Sequence, residues 1–407
     1  MMNVILVEPA FPYNQREFAR GLAAAGARVI GIGERPVSHL DPELAGWLAH
    51  YEQVSSVVNE AALLQAVRRI QQRVRVDRLE ATVEAHIMSA AQVREATGIP
   101  GTSVKTAWLC RDKPTMKAAL RQAGVPCAQS TSAEDLAGAR AFAATVGFPL
   151  IVKPRSGAGA SGTKRIDNIP ELDAALNAAG VGRGASVALE EFIEGHEGFI
   201  DTIAVHGKVA HEFISHYFPG VLVAMRERWI SPQIVATNRL DAEGYAEVRA
   251  MARRVIEVLG IGTSATHMEW FFGPKGLKFS EIGCRPPGVG QWDVYAAANE
   301  FDIYREWAMA IVHGRPSQQP SRRYACGMIA LRPDRDGRIH GYEGAERVFD
   351  KFGEWIVASH LPPTGTATQP VEAGYMANAW IRIRHPDYDY LRSMMDSIGE
   401  TLKVRAS

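Results

Sequence analysis

Cysteine is scarce, with four residues, Cys110, Cys127, Cys284 and Cys326, in 407. They stand far apart, with no C-x-x-C pair and no histidine at ligand spacing, which fits neither a disulfide framework nor a zinc site and points to a reducing compartment. Net charge is missing too: 45 Lys plus Arg balance 45 Asp plus Glu, so no global field draws the chain to nucleic acid or to an anionic membrane surface. Apolar stretches such as residues 4–7 fall far short of the roughly 18 residues of a membrane span, and no basic segment with an apolar one behind it precedes them. A cytoplasmic protein without membrane or nucleic-acid partners is the expectation. Both common phosphate-binding fingerprints are also absent. The first strand is followed by Pro9, Ala10, Phe11 and Pro12 where a dinucleotide fold would carry G-x-G-x-x-G, and no lysine closes a glycine run as G-K-[ST].

What is present is an ordinary globular composition, 46% hydrophobic and 22% charged, long enough for two to three domains. An apolar strand at residues 3–7, a helical pattern through Phe18, Leu22 and Ala25, and a second strand at 28–32 predict a parallel sheet with right-handed crossovers. The arginines Arg68, Arg69, Arg73, Arg75 and Arg78 read as a solvated basic helix face. Gly98-Ile-Pro-Gly-Thr102 marks one boundary and the polar stretch 314–321, with Pro316 and Pro320, a second. The expected division is therefore 1–105, 106–315 and 316–407. The last part reads as a small mixed α/β lobe, with strands near 324–331 and 379–383 and a final helix opened by His385-Pro386.

Residues 265–288, ATHMEWFFGPKGLKFSEIGCRPPG, carry the strongest local signal. Two strand-like runs flank Gly273-Pro274-Lys275-Gly276, which suits a type I turn closed by a bulge, a three-residue hairpin loop. Pairing Gly273 with Leu277 sets Glu269 opposite Glu281, their Cβ atoms about 4.5 to 5.5 Å apart. Like charges that close need a shared proton or a hard cation, and Mg²⁺ is the favoured reading. A register off by one would instead turn Glu281 to the other face as a solvated charge. His267 shares the strand face of Glu269, as a site residue or as a structural histidine. Cys284 reads as a packing residue or as a thiol tuned by Arg285.

Upstream, residues 149–154 form an apolar strand that delivers Lys153, followed by Gly157, Gly159, Ser161 and Gly162 in a loop able to bring backbone N–H groups close to phosphate oxygens. A flexible surface hairpin is the alternative. Asp112-Lys113-Pro114 opens a helix with Lys113 at its entrance. Residues 187–193, VALEEFI, run into the acidic turn Glu194-Gly195-His196-Glu197.

Taken in order, D-K-P-x-M-K-x-x-L-x-x-A-G-V-P, P-L-I-V-K-P with its glycine loop, E-E-F-I-E-G-x-E, and H-x-E with E-I-x-x-R resemble the ATP-grasp superfamily, covering residues 111–288. The form is most similar to the biotin-carboxylase-like branch and its carboxylate-amine ligases. The resemblance implies an α/β ATP-grasp fold with an N-terminal parallel-sheet domain, a lid subdomain at about 126–192, and a small C-terminal lobe. It further implies ATP and Mg²⁺, with Mn²⁺ as an alternative ion. Lys113 and Lys153 would hold phosphates, Gly157, Gly159, Ser161 and Gly162 form the lid loop, and Glu190, Glu191 and Ile193 lie on the adenine-reading hinge strand. Glu197 would take the ribose, Glu269 and Glu281 the metal, and Arg285, together with Lys153, would act in catalysis by steadying the transferred phosphoryl group. Gly283 departs from the frequent E-I-N pattern and removes one metal ligand, which water can replace.

The reaction so implied joins a small carboxylic acid to an amine through an acyl phosphate. A carboxylase or formate-using ligase, and a phosphotransferase on the same clamp, stay as alternatives. Tyr217, Arg226, Arg228 and Trp229, in what reads as an irregular segment, are candidates for meeting the substrate carboxylate. Homodimerisation stays open.

Overall fold

The computed structural model describes residues 1–156 and 162–407. The strands Asn3–Val7 (β1), Arg28–Gly33 (β2), Leu48–Gln53 (β3) and Arg78–Glu80 (β4) pair in parallel in the order β3-β2-β1-β4. Val4, Ile5, Leu6 and Val7 are all fully buried, which is why β1 reads as a continuous apolar run and not as an alternation. Phe18, Ala19 and Leu22 of the helix Arg16–Ala24 join Val4 and Leu6 in one core, while Leu63, Val67 and Ile70 of the helix Glu60–Gln71 join Ile5 and Val7 in another. The arginine cluster does not share one helix face. Arg68 and Arg69 end the helix where its buried stripe stops at Ile70, and Arg78 opens β4.

A second, antiparallel sheet of Ser130–Ala133 (β5), Leu150–Pro154 (β6), Lys164–Ile166 (β7) and Val187–Glu191 (β8) runs β5-β8-β6-β7. The helices Leu136–Val146 and Ile169–Ala178 back it through Ala139, Ala143, Leu172 and Leu176. The largest sheet has eight strands. His196–Val205 (β9), Lys208–Phe218 (β10), Gln233–Ala236 (β11), Ser264–Gly273 (β12), Gly276–Gly283 (β13) and Ala325–Leu331 (β14) are joined by Ile356–His360 (β16) and Ala379–His385 (β17), in the order β13-β12-β9-β10-β11-β14-β17-β16. Ile339–Glu343 (β15) pairs separately with Lys403–Ala406 (β18).

The chain beyond residue 316 is thus hydrogen-bonded into the central sheet through β14, whose seven residues are all buried. Its final helix, Tyr388–Thr401, starts beyond His385-Pro386, because Asp387 supplies the cap by accepting from the Tyr390 N–H at 2.9 Å. Leu391, Met394, Met395 and Ile398 form its buried stripe. Among the described residues, no helix is long and apolar enough to cross a membrane.

Candidate active site

A cavity of about 480 Å³ is walled by the second sheet and the central sheet together. Lys113 and Lys117 reach it from the helix Lys113–Gln122, Lys153 from β6, Glu190 and Glu191 from β8, Glu197 from β9, Glu269 from β12 and Glu281 from β13. The helix entrance is fastened in three ways. Asp112 caps it by accepting from the Thr115 N–H at 3.1 Å, the same carboxylate accepts from Arg155 Nε at 2.8 Å, and the Lys113 N–H donates to the Arg155 carbonyl at 3.0 Å. Arg155 immediately follows β6, so this clamp fixes the two candidate phosphate lysines beside each other. Lys113 Nζ lies 3.3 Å and Lys153 Nζ 3.8 Å from the same Glu281 oxygen.

Glu269 and Glu281 are direct cross-strand partners in the β12–β13 hairpin. The turn itself differs from expectation. Gly273 pairs with Gly276 and Phe272 with Leu277, one residue out of the anticipated register, and an irregularity between Glu269 and Trp270 leaves Ser280 as the extra residue that restores it. A tie on the outer side of β13 accompanies that bulge: the Phe279 N–H donates to the Pro126 carbonyl at 2.7 Å. Gly276, at φ 72°, supplies the left-handed residue of the tight turn.

Charge in the cavity is arranged in opposed pairs. Lys117, at 1% exposure, donates to Glu190 at 2.6 Å, and Lys153 lies 3.0 Å from the same oxygen. Burial alone would raise the Glu190 carboxyl, but Lys117 and Lys153 outweigh it and hold it at about 2. Burial pushes Lys117 down to about 8 against the pull of Glu190. Glu190 Oε1 is buried without a hydrogen-bond partner among the described residues.

Glu197 accepts from the Val221 N–H at 2.7 Å, and burial followed by the neighbouring Glu269 charge raises it to about 8. His267 bridges two carboxylates, with Nδ1 2.6 Å from Asp201 and Nε2 3.5 Å from Glu269. Burial lowers its basicity, yet Asp201 prevails and lifts it to about 9, so a cationic ring faces Glu269 at neutral pH. Glu269 in turn is lowered, its burial outweighed by the His267 bond. The two facing carboxylates offer hard oxygen donors already countered by cations, a donor set that fits Mg²⁺.

Other expected residues fall differently. Gly157, Gly159 and Ser161 lie outside the described residues, while Gly162 has φ 70°. Ile193 and Glu191 line the cavity, but the Glu191 N–H is taken by the Gln129 carbonyl at 2.8 Å, so that group cannot read a base. Arg285 is not on the cavity wall. Its Nε donates to Glu84 at 3.1 Å. Tyr217 sits in β10 and not in an irregular segment, and its hydroxyl donates to Glu269 at 3.4 Å, because β10 runs on through residue 218. Arg226 lines the cavity, Arg228 turns away to Asp336, and Trp229 is 81% exposed. Cys284 is buried and its thiol meets that of Cys110, a contact their separation in sequence conceals.

Two features escaped the sequence. Lys117 stands inside the D-K-P-x-M-K pattern, where its helical spacing from Lys113, i to i+4, puts both on one face. Asp201, which also accepts from the buried Tyr295 hydroxyl, carried no signal beyond an acid within an apolar strand.

Two antiparallel sheets thus enclose one cavity lined by lysines and carboxylates. The family model described as ATP-grasp domain matches residues 118–301. It is 26% identical over 255 residues to an L-arginine-specific L-amino acid ligase of Bacillus subtilis, covering 61% of each chain. It is 27% identical over 235 residues to an alanine–anticapsin ligase of Bacillus subtilis, covering 52% of this chain and 48% of that protein. The chain therefore spans about half to three fifths of these relatives. The crystal structure of an L-amino acid ligase from Bacillus licheniformis superposes with a TM-score of 0.77 at 17% identity, over 100% of this chain and 99% of that one.

Proposed function

We propose that this protein is an ATP-dependent carboxylate-amine ligase of the cytoplasm, acting on small molecules. The observation that carries the reading is the facing of Glu269 and Glu281 in one cavity with Lys113 and Lys153 set against Glu281. In this reading the lysines spread the charge of the triphosphate as point cations and position it. Lys117 holds Glu190 and so keeps Lys153 aimed. Glu269 and Glu281 would hold Mg²⁺, or Mn²⁺ in its place, which when bound neutralises phosphoryl oxygens.

The substrate carboxylate oxygen attacks the γ-phosphorus, the bond to ADP breaks, and an acyl phosphate forms. The amine then attacks the acyl carbon, phosphate departs with the bridging oxygen, and the nitrogen loses a proton to leave an amide. No protein nucleophile is needed. Arg226, on the cavity wall, and Tyr217, bonded through its hydroxyl to Glu269, are the candidate groups for the acid. The two ligase relatives support an amino acid as one partner.

Screening ADP release against pairs of acids and amines, with mass detection of product, tests the reading. A pair-dependent ADP signal with a new amide is the expected result. Glu281→Gln should lower it about 100-fold or more while the fold persists by circular dichroism. ADP release with no amine requirement, or a stable phosphoester product, would replace the reading.

A further inference from the structure

Asp201 is a buried acid to which the acyl-phosphate chemistry gives no task. It lies in β9 within the run Phe199-Ile-Asp-Thr-Ile203 at 1% exposure, and a carboxylate in such surroundings is costly unless both of its oxygens are partnered. Both are. Oδ1 accepts from His267 Nδ1 at 2.6 Å, and Oδ2 accepts from the Tyr295 hydroxyl. Tyr295, fully buried on the helix Gln291–Asn299, is held in turn. Its ring stacks on Phe213 at 4.5 Å, its hydroxyl lies 3.2 Å from Ser215 Oγ, and Gln291 Nε2 donates to that same Oγ at 2.9 Å.

The sheet register carries this anchorage to the metal pair. Asp201 is the direct partner of His267 across β9 and β12, and Phe199 is the direct partner of Glu269 two residues along, so the four share one face. His267 Nε2 lies 3.5 Å from Glu269 Oε1, and the Tyr217 hydroxyl, from β10, donates to the same oxygen at 3.4 Å. The Phe199 ring packs against both partners, 4.9 Å from each ring centroid. Glu269 Oε2 receives no hydrogen bond among the described residues. One oxygen of this carboxylate is therefore engaged and the other is open.

That asymmetry bears on the choice of a divalent ion. Mg²⁺ is small and demands a near-ideal octahedron, which suits one oxygen from each carboxylate, whereas Ca²⁺ is larger, tolerates irregular shells and readily takes both oxygens of one carboxylate. Groups that orient a ligand from behind commonly alter metal affinity by about ten- to a hundredfold.

We infer that Asp201 is a positioning residue for the metal pair: by anchoring His267 it keeps Glu269 Oε1 engaged, so that Glu269 presents a single oxygen and the pair selects Mg²⁺ over Ca²⁺. The inference rests on the reading of Glu269 and Glu281 as metal ligands, and adds what sets their choice of ion.

Calorimetric titration of AMPPNP into the whole protein, in excess EDTA, Mg²⁺ or Ca²⁺, reads the gain in affinity from each ion without turnover. In the wild type Mg²⁺ should tighten binding more than Ca²⁺, and Glu281→Gln should abolish both gains. In Asp201→Asn, and in His267→Asn, whose side chain is too short to bridge the two carboxylates, the ratio of the Mg²⁺ gain to the Ca²⁺ gain should fall about tenfold. The two ions carry the same charge, so a change in local charge or a loosened fold moves both gains together, and only the oxygen geometry separates them. AMPPNP affinity in EDTA, unchanged in a variant, certifies its fold, and His267→Asn decides alone if Asp201→Asn fails that control. An unchanged ratio in every folded variant overturns the inference and leaves the metal pair standing. No gain from either ion in the wild type, or a gain that survives Glu281→Gln, removes the metal pair and the inference with it.

Discussion

Glu190 shows how single residues set the character of this site. It lies between Lys117 and Lys153 at 4% exposure, and its loss would leave two buried cations without their shared partner. Glu190→Gln should therefore destabilise the free protein by about 3 kcal/mol at neutral pH, measured by chemical denaturation. The pH dependence has a definite sign. The carboxyl is held at about 2 against an ordinary 4.5, so its contribution is complete above pH 4.5 and is lost as pH falls towards 2. The stability difference between wild type and Glu190→Gln should shrink across that window, and a constant difference would refute the charge assignment. Lys113 and Lys153 were legible in the sequence because each follows a local signal, a capped helix start and a strand end. Lys117 was not, since its importance depends on meeting Glu190, 73 positions away.

At the scale of elements, the hairpin carrying Glu269 and Glu281 was readable from its Gly-Pro-Lys-Gly turn and its two apolar runs. Its bulge was not, because the tie from Phe279 to Pro126 that accompanies it is a contact between distant segments. The two hairpin glycines serve different ends, which a pair of substitutions separates. Gly276 has φ 72° and open space around it, so Gly276→Ala should cost only the backbone strain, about 1 kcal/mol. Gly273→Ala drives a methyl into the Glu194 carbonyl and the Gly195 backbone, next to the turn that leads to Glu197. It should cost more in denaturation and also weaken nucleotide affinity, whereas Gly276→Ala should leave affinity alone. Equal costs in the two variants would contradict this account of the packing.

The whole molecule joins the segments that sequence punctuation separates. Pro316 and Pro320 mark a break in pattern, yet β14, β17 and β16 beyond them complete the central sheet, a long-range pairing that no local signal carries. Removing residues 316–407 would expose β11, with Ile234 and Val235, as an unpaired apolar edge, and the shortened chain should aggregate on size-exclusion chromatography. A monodisperse, nucleotide-binding 1–315 would show the segment to be an independent appendage. The central claim is that the protein joins an acid to an amine by way of an acyl phosphate. Turnover with a carboxylic acid labelled with oxygen-18 at both carboxyl oxygens tests it most directly, read by mass spectrometry of the released phosphate. One labelled oxygen in each phosphate is the result the account predicts, and phosphate free of label would contradict it.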